Sequence, residues 1–408
     1  MKYVIFEDNS WENFLPFTYT RIIGDMRVGV LKLRQRIGLY FDFEPKNVVI
    51  RENLVSLYKI RHKDWQINSF PKGEYCFINS RLRINEDLKA QIDELKFGEK
   101  LAFGNAVLAF KVVFEGDMCV CTENLDSFIP CNDSENSLKG GELWSYAWEL
   151  IHANGDMIRE DYEIVFYEED NFIEIDPGIV GINPYDIWIG EGAILKHGVI
   201  LDATNGPVII DENATIMHNA VIVGPAYVGK NSQIKIGAKV YPNTSIGAYC
   251  KVGGEVEDTI FQAYSNKQHD GFLGHSYIGE WVNIGADTNN SDLKNTYKPV
   301  KVWFYPDKSK RSTDSMFVGC FIGDHSKIGI NCSINTGAMI GFGANLYGRD
   351  LISDFIPSFS WGEAHNLLSY QFEKFIETVS TVKTRRNEEL IDEEIELMKK
   401  IYEYKEME

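Results

Sequence analysis

From Ile210 onward an aliphatic residue falls at every sixth position: Ile210, Ile216, Ile222, Val228, Ile234, Val240, Ile246 and Val252. The same spacing precedes this run at Ile189, Leu195 and Leu201. It resumes at Phe272, Ile278 and Ile284, and again at Ile322, Ile328, Ile334, Ile340 and Leu346. An amphipathic helix needs a period near 3.6, so the helical reading fails. Six residues make one short strand and one corner. Gly and Asn recur between the aliphatic positions, as in IGEG, VGKN and IGIN, and both tolerate the positive φ of a tight corner. Three sides close a triangular coil of about 18 residues, and coils stack roughly 4.8 Å apart with the aliphatics inside. The repeat predicts a parallel β-helix over residues 186–350. Two stretches leave the register, near 258–271 and 287–317, and are read as loops projecting from one side. They hold the polar runs YSNKQHDGF and DTNNSDLKNTYK, and such loops often build binding sites.

Residues 1–160 lack the period. MKYVIFE, NVVI and YCFIN read as strands, each followed by helical spacing, as over Val28 to Ile37 and Asp87 to Leu95. That alternation predicts an α/β, Rossmann-like domain with a largely parallel sheet. FGNAVLAF reads as a hairpin turning at Gly104-Asn105. Residues 161–185, with Pro177 and Pro184, form a linker, and residues 351–408 a helical tail. In the tail Leu368, Phe372, Phe375, Ile376 and Val379, then Leu390, Ile391, Ile395, Met398 and Ile401, fall at helical spacing. These helices are expected to cap the solenoid or to pack on a neighbouring subunit.

Charge and cysteines narrow the partners. A net charge of −19 argues against nucleic acid, whose binding surfaces are basic, but leaves room for a small phosphorylated ligand in a local cationic pocket. Seven widely spread cysteines suit reduced thiols rather than a disulfide framework. Cys119, Cys121 and Cys131 have no neighbouring His and are read as structural thiols, so no metal site is expected. The N-terminus lacks a signal-peptide pattern, and no run approaches the roughly 18 apolar residues of a spanning helix. The expectation is a cytoplasmic chain with no membrane partner.

The block GGEVEDTIFQAYSNKQHDGFLGHSYIGEWVNIGADTNNSDLKNTYKPVKVW resembles the sugar-nucleotide transferases built on a left-handed β-helix. These include the bifunctional N-acetylglucosamine-1-phosphate uridyltransferase / glucosamine-1-phosphate N-acetyltransferase family and its divergent bacterial relatives. The family's acetyltransferase histidine lies in a K-x-x-H-x-x-Y-x-G-like stretch followed by N-I-G-A. On KQHDGFLG the resemblance makes His269 the general base, a role suited to a side chain titrating near 6.5. It puts Phe272 at the family's tyrosine and Asn283 at its substrate-orienting asparagine, and gives Lys298 and Lys301 the phosphates of the sugar or of coenzyme A. Tyr241, before Pro242, stands where the family grips sugar phosphate with arginine, and Thr259 is near its lysine; both charges are absent. Cys320 is read as packing first and functional second, and His275, six residues on from His269, as a weaker candidate for the base that sits on a coil face.

The N-terminal resemblance is more distant. The family cradles nucleotide phosphates with a Gly-rich loop ending G-T-R and a lysine beyond it. This chain has EDNSWENFLPFTYTR, which retains Thr20 and Arg21, then Arg27, Gly29 and Lys32. Where the family carries a Mg²⁺-binding Asp, the chain reads Asn79-Ser80-Arg81. The resemblance implies a homotrimeric sugar-nucleotide transferase acting on a sugar phosphate or sugar nucleotide. It would use acetyl-CoA in the β-helix, and Mg²⁺ with a nucleoside triphosphate if the N-terminal domain is active. Two alternatives stand beside it: nucleotidyl transfer alone with the β-helix as trimerisation scaffold, and non-catalytic binding of a sugar nucleotide.

Overall fold

The computed structural model describes residues 1–134, 142–169, 171 and 177–404. Contacts divide the chain into two units. One comprises Met1–Met26, Leu31–Tyr146 and Ile391–Met398; the other comprises Arg27–Val30, Ala147–Leu390 and Lys399–Glu408.

In the first unit the apolar runs form strands β1 (Lys2–Phe6), β2 (Asn47–Val49), β3 (Gln66–Ile67), β4 (Ser69–Phe70), β5 (Gly73–Asn79), β6 (Glu99–Phe103), β7 (Ala106–Phe114), β8 (Met118–Cys119) and β9 (Asn132–Asp133). The main sheet runs β3-β2-β1-β5-β7-β6-β9. Its first four strands are parallel, and β7 lies antiparallel to both β5 and β6. The parallel part needs crossovers; α1 (Leu33–Tyr40) links β1 to β2 and α2 (Glu52–Arg61) links β2 to β3, while α3 (Glu86–Glu94) leads from β5 to β6. Asn85 caps α3 by accepting from the Leu88 N–H at 2.9 Å, satisfying one of the helix's open donors. The hairpin turns at Gly104, φ +59°, as its sequence predicts. The helix expected from Val28 begins only at Leu33, because Gly29 takes φ +69° and breaks the helical path. Val4, Phe6, Phe77 and Phe110 are fully buried in one core, where the Phe77 and Phe110 rings stack at 4.7 Å.

The second unit is a parallel β-helix that begins inside the expected linker, since Val180–Ile182 already pairs with Ile200–Asp202. Its faces pair coil on coil in register, as Ile216 with Ile234, Val228 with Ile246 and Ile322 with Ile340, each partner eighteen residues on. The sixth-position aliphatics form one continuous buried core, except that Leu273, the coil partner of Val256, takes the interior place expected for Phe272. Asn213, Asn219, Asn231 and Asn243 turn corners at φ between +55° and +58°, as the recurrence of Asn predicts.

The stretch 258–271 is not a projecting loop. Ile260–Phe261 and Asn266–Lys267 are coil strands that pair with the coils before and after them. The register is lost in the sequence because Val256 follows Val252 by four residues, Phe261 follows Val256 by five, and the next interior position is Lys267. The second excursion starts later than expected, since Asn289–Asn290 still pairs with Ser333–Ile334. Beyond it Lys301–Phe304 and Ser309–Ser312 form an antiparallel hairpin. At the far end Leu351–Ile352, Phe355–Ile356, Ser360–Glu363 and Asn366–Ser369 are still strands. The tail becomes helical only at Phe372–Thr384 and Asp392–Tyr404. Tyr249, Tyr264 and Trp281 occupy successive left-handed corners with rings stacked at 4.8 and 4.3 Å, and Lys383 of the first tail helix lies over Trp281.

Candidate functional site

One corner of the β-helix carries Asn243, Asp258 and His275 on successive coils, all at positive φ. Asn243 donates to Asp258 Oδ1 at 2.9 Å, and the His275 N–H donates to the Glu257 carbonyl at 3.2 Å. The backbone ladder then stops. Between Phe272–Gly274 and Asn289–Asn290 the hydrogen bonds run through side-chain amides. Asn289 Oδ1 accepts from the Phe272 N–H at 2.7 Å, and Asn290 holds Gly274 through both its oxygen and its nitrogen. This substitution lets the chain leave the coil, and the two ends of the excursion close over His275.

Asp292 comes from one end, with Oδ2 2.8 Å from His275 Nδ1. Phe317 comes from the other, its ring stacked on the imidazole at 5.3 Å. Gly274 leaves room for this, since a Cβ there would lie 2.4 Å from Asp292 Oδ2. Asp258 Oδ2 is 3.7 Å from His275 Nε2. Burial pulls the His275 pKa down, but the Asp292 hydrogen bond and the charges of Asp258, Asp292 and Glu257 outweigh it, and the net shift is upward. Burial pushes the Glu257 carboxyl up, with Asp292 and Asp258 adding to the rise. The arrangement is a histidine oriented on one ring nitrogen by a carboxylate, the geometry of a general base. Glu257, His275 and Asp292 also bring one ligand atom each within 4.8 Å of one another, a spacing that could accept a divalent cation.

The residues chosen from the sequence fall around this corner unevenly. His269 is exposed, and its carbonyl accepts from Lys267 Nζ at 2.9 Å. Phe272 lies on the strand that leads into His275. Tyr241 is 38% exposed and follows Val240, the coil partner of Val256, one coil before Glu257. Asn283 stands on another face, paired with Asn266 and Lys327. Lys298 and Lys301 are exposed on the excursion. Cys320 is fully buried, and burial pushes its thiol up to about 12; with Ser276 Oγ at 3.4 Å it is a packing residue.

In the first unit the loop after β1 takes three short 3₁₀ turns instead of a glycine cradle. Glu7, buried, pairs with Arg51 Nε at 2.8 Å. Arg51 Nη2 donates to the carbonyls of Thr18 and Arg21, fastening the loop. Arg21 is itself buried and donates to the Phe17 carbonyl at 2.8 Å. Lys32 pairs with Asp25 at 3.2 Å. Arg27, in the second unit, is buried over the Tyr227 ring and donates to the Val30 carbonyl.

A cavity of about 370 Å³ opens at the C-terminal ends of β1 and β5, and Thr20, Arg21, Arg27 and Lys32 are not among its lining residues. Asp8 and Arg81 line it instead. Arg81 grips both Asp8 oxygens, Nε at 3.0 Å and Nη2 at 2.6 Å, and Nη1 donates to the Trp144 carbonyl. Asn79 Nδ2 donates to Asp8 Oδ2 at 2.8 Å. Burial works against the Asp8 charge, but Arg81 overcomes it and holds the carboxyl below its usual range.

Residues 3–169 match the model of a sugar nucleotidyl transferase family. The bifunctional protein GlmU of Wigglesworthia glossinidia brevipalpis is 31% identical over 199 residues, 47% of this chain and 38% of that protein. A bifunctional sugar-1-phosphate nucleotidylyltransferase/acetyltransferase of Sulfurisphaera tokodaii is 38% identical over 145 residues, 35% of each chain. The chain thus spans well under half the length of these two relatives. Among solved structures, the UDP-N-acetylglucosamine acyltransferase of Francisella novicida aligns with 57% of this chain and 85% of its own. Its identity is 12% and its TM-score 0.31. No helix among the described residues is long and apolar enough to cross a membrane.

Proposed function

We propose that the protein is a sugar-nucleotide pathway transferase whose β-helix moves an acyl group from acyl-CoA to an amino-sugar substrate, with His275 as general base. The observation that carries this reading is the 2.8 Å approach of Asp292 Oδ2 to His275 Nδ1. With Nδ1–H donating to Asp292, Nε2 keeps a lone pair for the substrate. The amine nitrogen attacks the thioester carbonyl, a C–N bond forms and the C–S bond breaks. Nε2 takes the amine proton and returns it to the departing thiolate. The resemblance to nucleotidylyltransferase/acetyltransferases supports the reading, and a homotrimer is the assembly that goes with it. Acyl-CoA and sugar nucleotides are cytoplasmic metabolites, so the reading implies a cytoplasmic chain.

A second reading, nucleotidyl transfer with Mg²⁺ and a nucleoside triphosphate, is favoured by the family match over residues 3–169. One paired assay separates the two. Thiol release from acetyl-CoA with amino-sugar phosphates, insensitive to chelator and lost in His275→Ala, supports acyl transfer. Pyrophosphate release from nucleoside triphosphates with sugar 1-phosphates, without thiol release, replaces it with nucleotidyl transfer. Neither product would sink both.

A further inference from the structure

The chain carries 60 acidic against 41 basic residues, so a surface cation ordinarily finds a carboxylate to match it. On the face of the β-helix that stacks Gln233–Ile234, Lys251–Val252 and Asn266–Lys267, four cations gather without one. Lys251 points outward between Gln233 and Asn266, opposite in sense to the buried Val252. Lys235 lies alongside, since a Cβ on Gly253 would be 3.0 Å from Lys235 Cβ. The end of the helix Phe372–Thr384 brings in Arg385 and Arg386. Arg386 spans two coils, donating from Nη1 to the Tyr249 carbonyl at 2.9 Å and from Nη2 to Asn266 Oδ1 at 2.6 Å. Among the described residues none of the four pairs with a carboxylate, and the side chains of Lys235, Lys251 and Arg385 make no hydrogen bond. Glu388, two residues beyond Arg386, accepts instead from the Tyr264 hydroxyl at 3.1 Å. Burial and the charges of Arg386, Lys235 and Arg385 pull the Lys251 pKa down. Holding like charges together costs free energy that a bound anion recovers.

The same place presents an open aromatic face. Tyr249 stacks on Tyr264 and Tyr264 on Trp281, the planes 6° and 14° from parallel, so three rings form a column. The corner one coil before Tyr249 holds Asn231, where the column ends, and Tyr249 is 41% exposed. A planar base laid on Tyr249 extends the column, with Arg386 and Lys251 beside it to meet phosphates. Stacking on an aromatic ring together with a cationic track is how proteins hold nucleotides without selecting the base. One phosphate carries about −1.5 to −2, so four cations suit two phosphates. His275 turns a different corner, between Phe272–Gly274 and Tyr277–Ile278.

We propose that Tyr249, Lys235, Lys251, Arg385 and Arg386 form a binding site for a nucleoside diphosphate, separate from the site of the acyl donor, with the base on Tyr249 and the phosphates on the four cations. The proposal does not depend on acyl transfer at His275. The full-length protein would be titrated calorimetrically with ADP, UDP, coenzyme A and inorganic pyrophosphate, without divalent metal. Both nucleotides are expected to bind, more tightly than pyrophosphate, and to weaken as salt is raised. Arg385→Gln and Lys251→Gln should each weaken ADP and UDP about tenfold, as the loss of one charge-assisted hydrogen bond does. Tyr249→Asn keeps a residue that tolerates the corner's positive φ, as Asn231 does one coil earlier. It should weaken both nucleotides about tenfold through the lost stacking and leave pyrophosphate unchanged. Circular dichroism and melting temperature would show that the variants fold. Four outcomes would overturn the proposal. Silence from both nucleotides into the millimolar range would remove the site. Nucleotide binding that all three variants leave intact would place it elsewhere in the chain. Pyrophosphate binding as tight as ADP would reduce the cluster to a plain anion site. Coenzyme A binding more than tenfold tighter than ADP, and equally sensitive to the variants, would make it part of the acyl donor's site.

Discussion

Asp292 Oδ2 lies 2.8 Å from His275 Nδ1, although the two residues belong to different coils and are joined only because the chain leaves the solenoid at Asn290. A general base contributes about 10²–10⁴-fold. His275→Ala is expected to lower acyl transfer by that factor with the fold intact, whereas His269→Ala keeps most of the activity. The base must be neutral to act. Because the Asp292 bond and its neighbouring carboxylates raise the His275 pKa despite burial, kcat/KM should climb with pH through a value above the ordinary 6.5. Asp292→Asn removes the hydrogen bond and one of the three charges that raise it, so the limb should move to lower pH on a reduced plateau. A pH profile unchanged in Asp292→Asn would sink the pairing.

Gly274 tests the same geometry without touching either partner. It adopts an extended strand conformation rather than a left-handed one, so alanine is tolerated by the backbone itself. The added Cβ would nonetheless sit 2.4 Å from Asp292 Oδ2 and 2.6 Å from the Phe272 ring, both inside van der Waals contact, so it displaces Asp292 and Phe272 together. Gly274→Ala should therefore imitate Asp292→Asn in its pH profile while melting within a few degrees of the parent. Wild-type kinetics in Gly274→Ala would show that Asp292 has no part in the reaction.

The hexad aliphatics were legible because an interior position excludes polar side chains, and Ile210 to Val252 obey that rule without a break. The stretch 258–271 was not, since Lys267 occupies an interior position and the preceding side is one residue short. That misreading concealed the site. With 258–271 taken as a loop, Asp258 and His275 had no common coil position. Counted as a coil, they fall at the corner that Asn243 occupies one turn earlier, and His275 stands out as a histidine in an asparagine's place. Asp292 carried no comparable signal, because its approach depends on how the excursion folds back. In the first unit, Asn79-Ser80-Arg81 was noted for the carboxylate it lacks. That Arg81 would clamp Asp8 follows from β1 and β5 being neighbours, which strand spacing alone does not specify.

The Glu7–Arg51 pair anchors the loop after β1, with side chains 0% and 4% exposed respectively. Burial pushes the Glu7 carboxyl up, and Arg51 opposes that shift. Removing one member of a buried pair strands the other and typically costs about 3–5 kcal/mol. Arg51→Met should lower the unfolding free energy of the first unit by that measure, read from urea denaturation. The double variant Glu7→Gln with Arg51→Met should recover part of it, because no uncompensated charge remains. A loss in Arg51→Met below about 1 kcal/mol, the scale of an exposed pair, would mean the pair is hydrated in solution.

Lys267 gives the β-helix a pH dependence of its own. It fills the interior position held by Val252 one coil earlier and Ile284 one coil later. Its ammonium is met by the carbonyls of Gly253 and His269 at 3.0 and 2.9 Å. Those two bonds do not match its lost hydration, and burial pulls its pKa from 10.5 down to about 8. The unfolded chain therefore holds a proton on this residue that the folded chain releases between about pH 8 and the unfolded value near 10.4. Stability must rise with pH across that window, by at most about 1.4 kcal/mol per unit from this one group. Below pH 8 both states are protonated and the slope vanishes. Lys267→Met removes the titration while keeping the length of the side chain. Urea midpoints measured from pH 7.5 to 10 should climb for the parent relative to the variant. Parallel curves would place the ammonium in water and Lys267 outside the core.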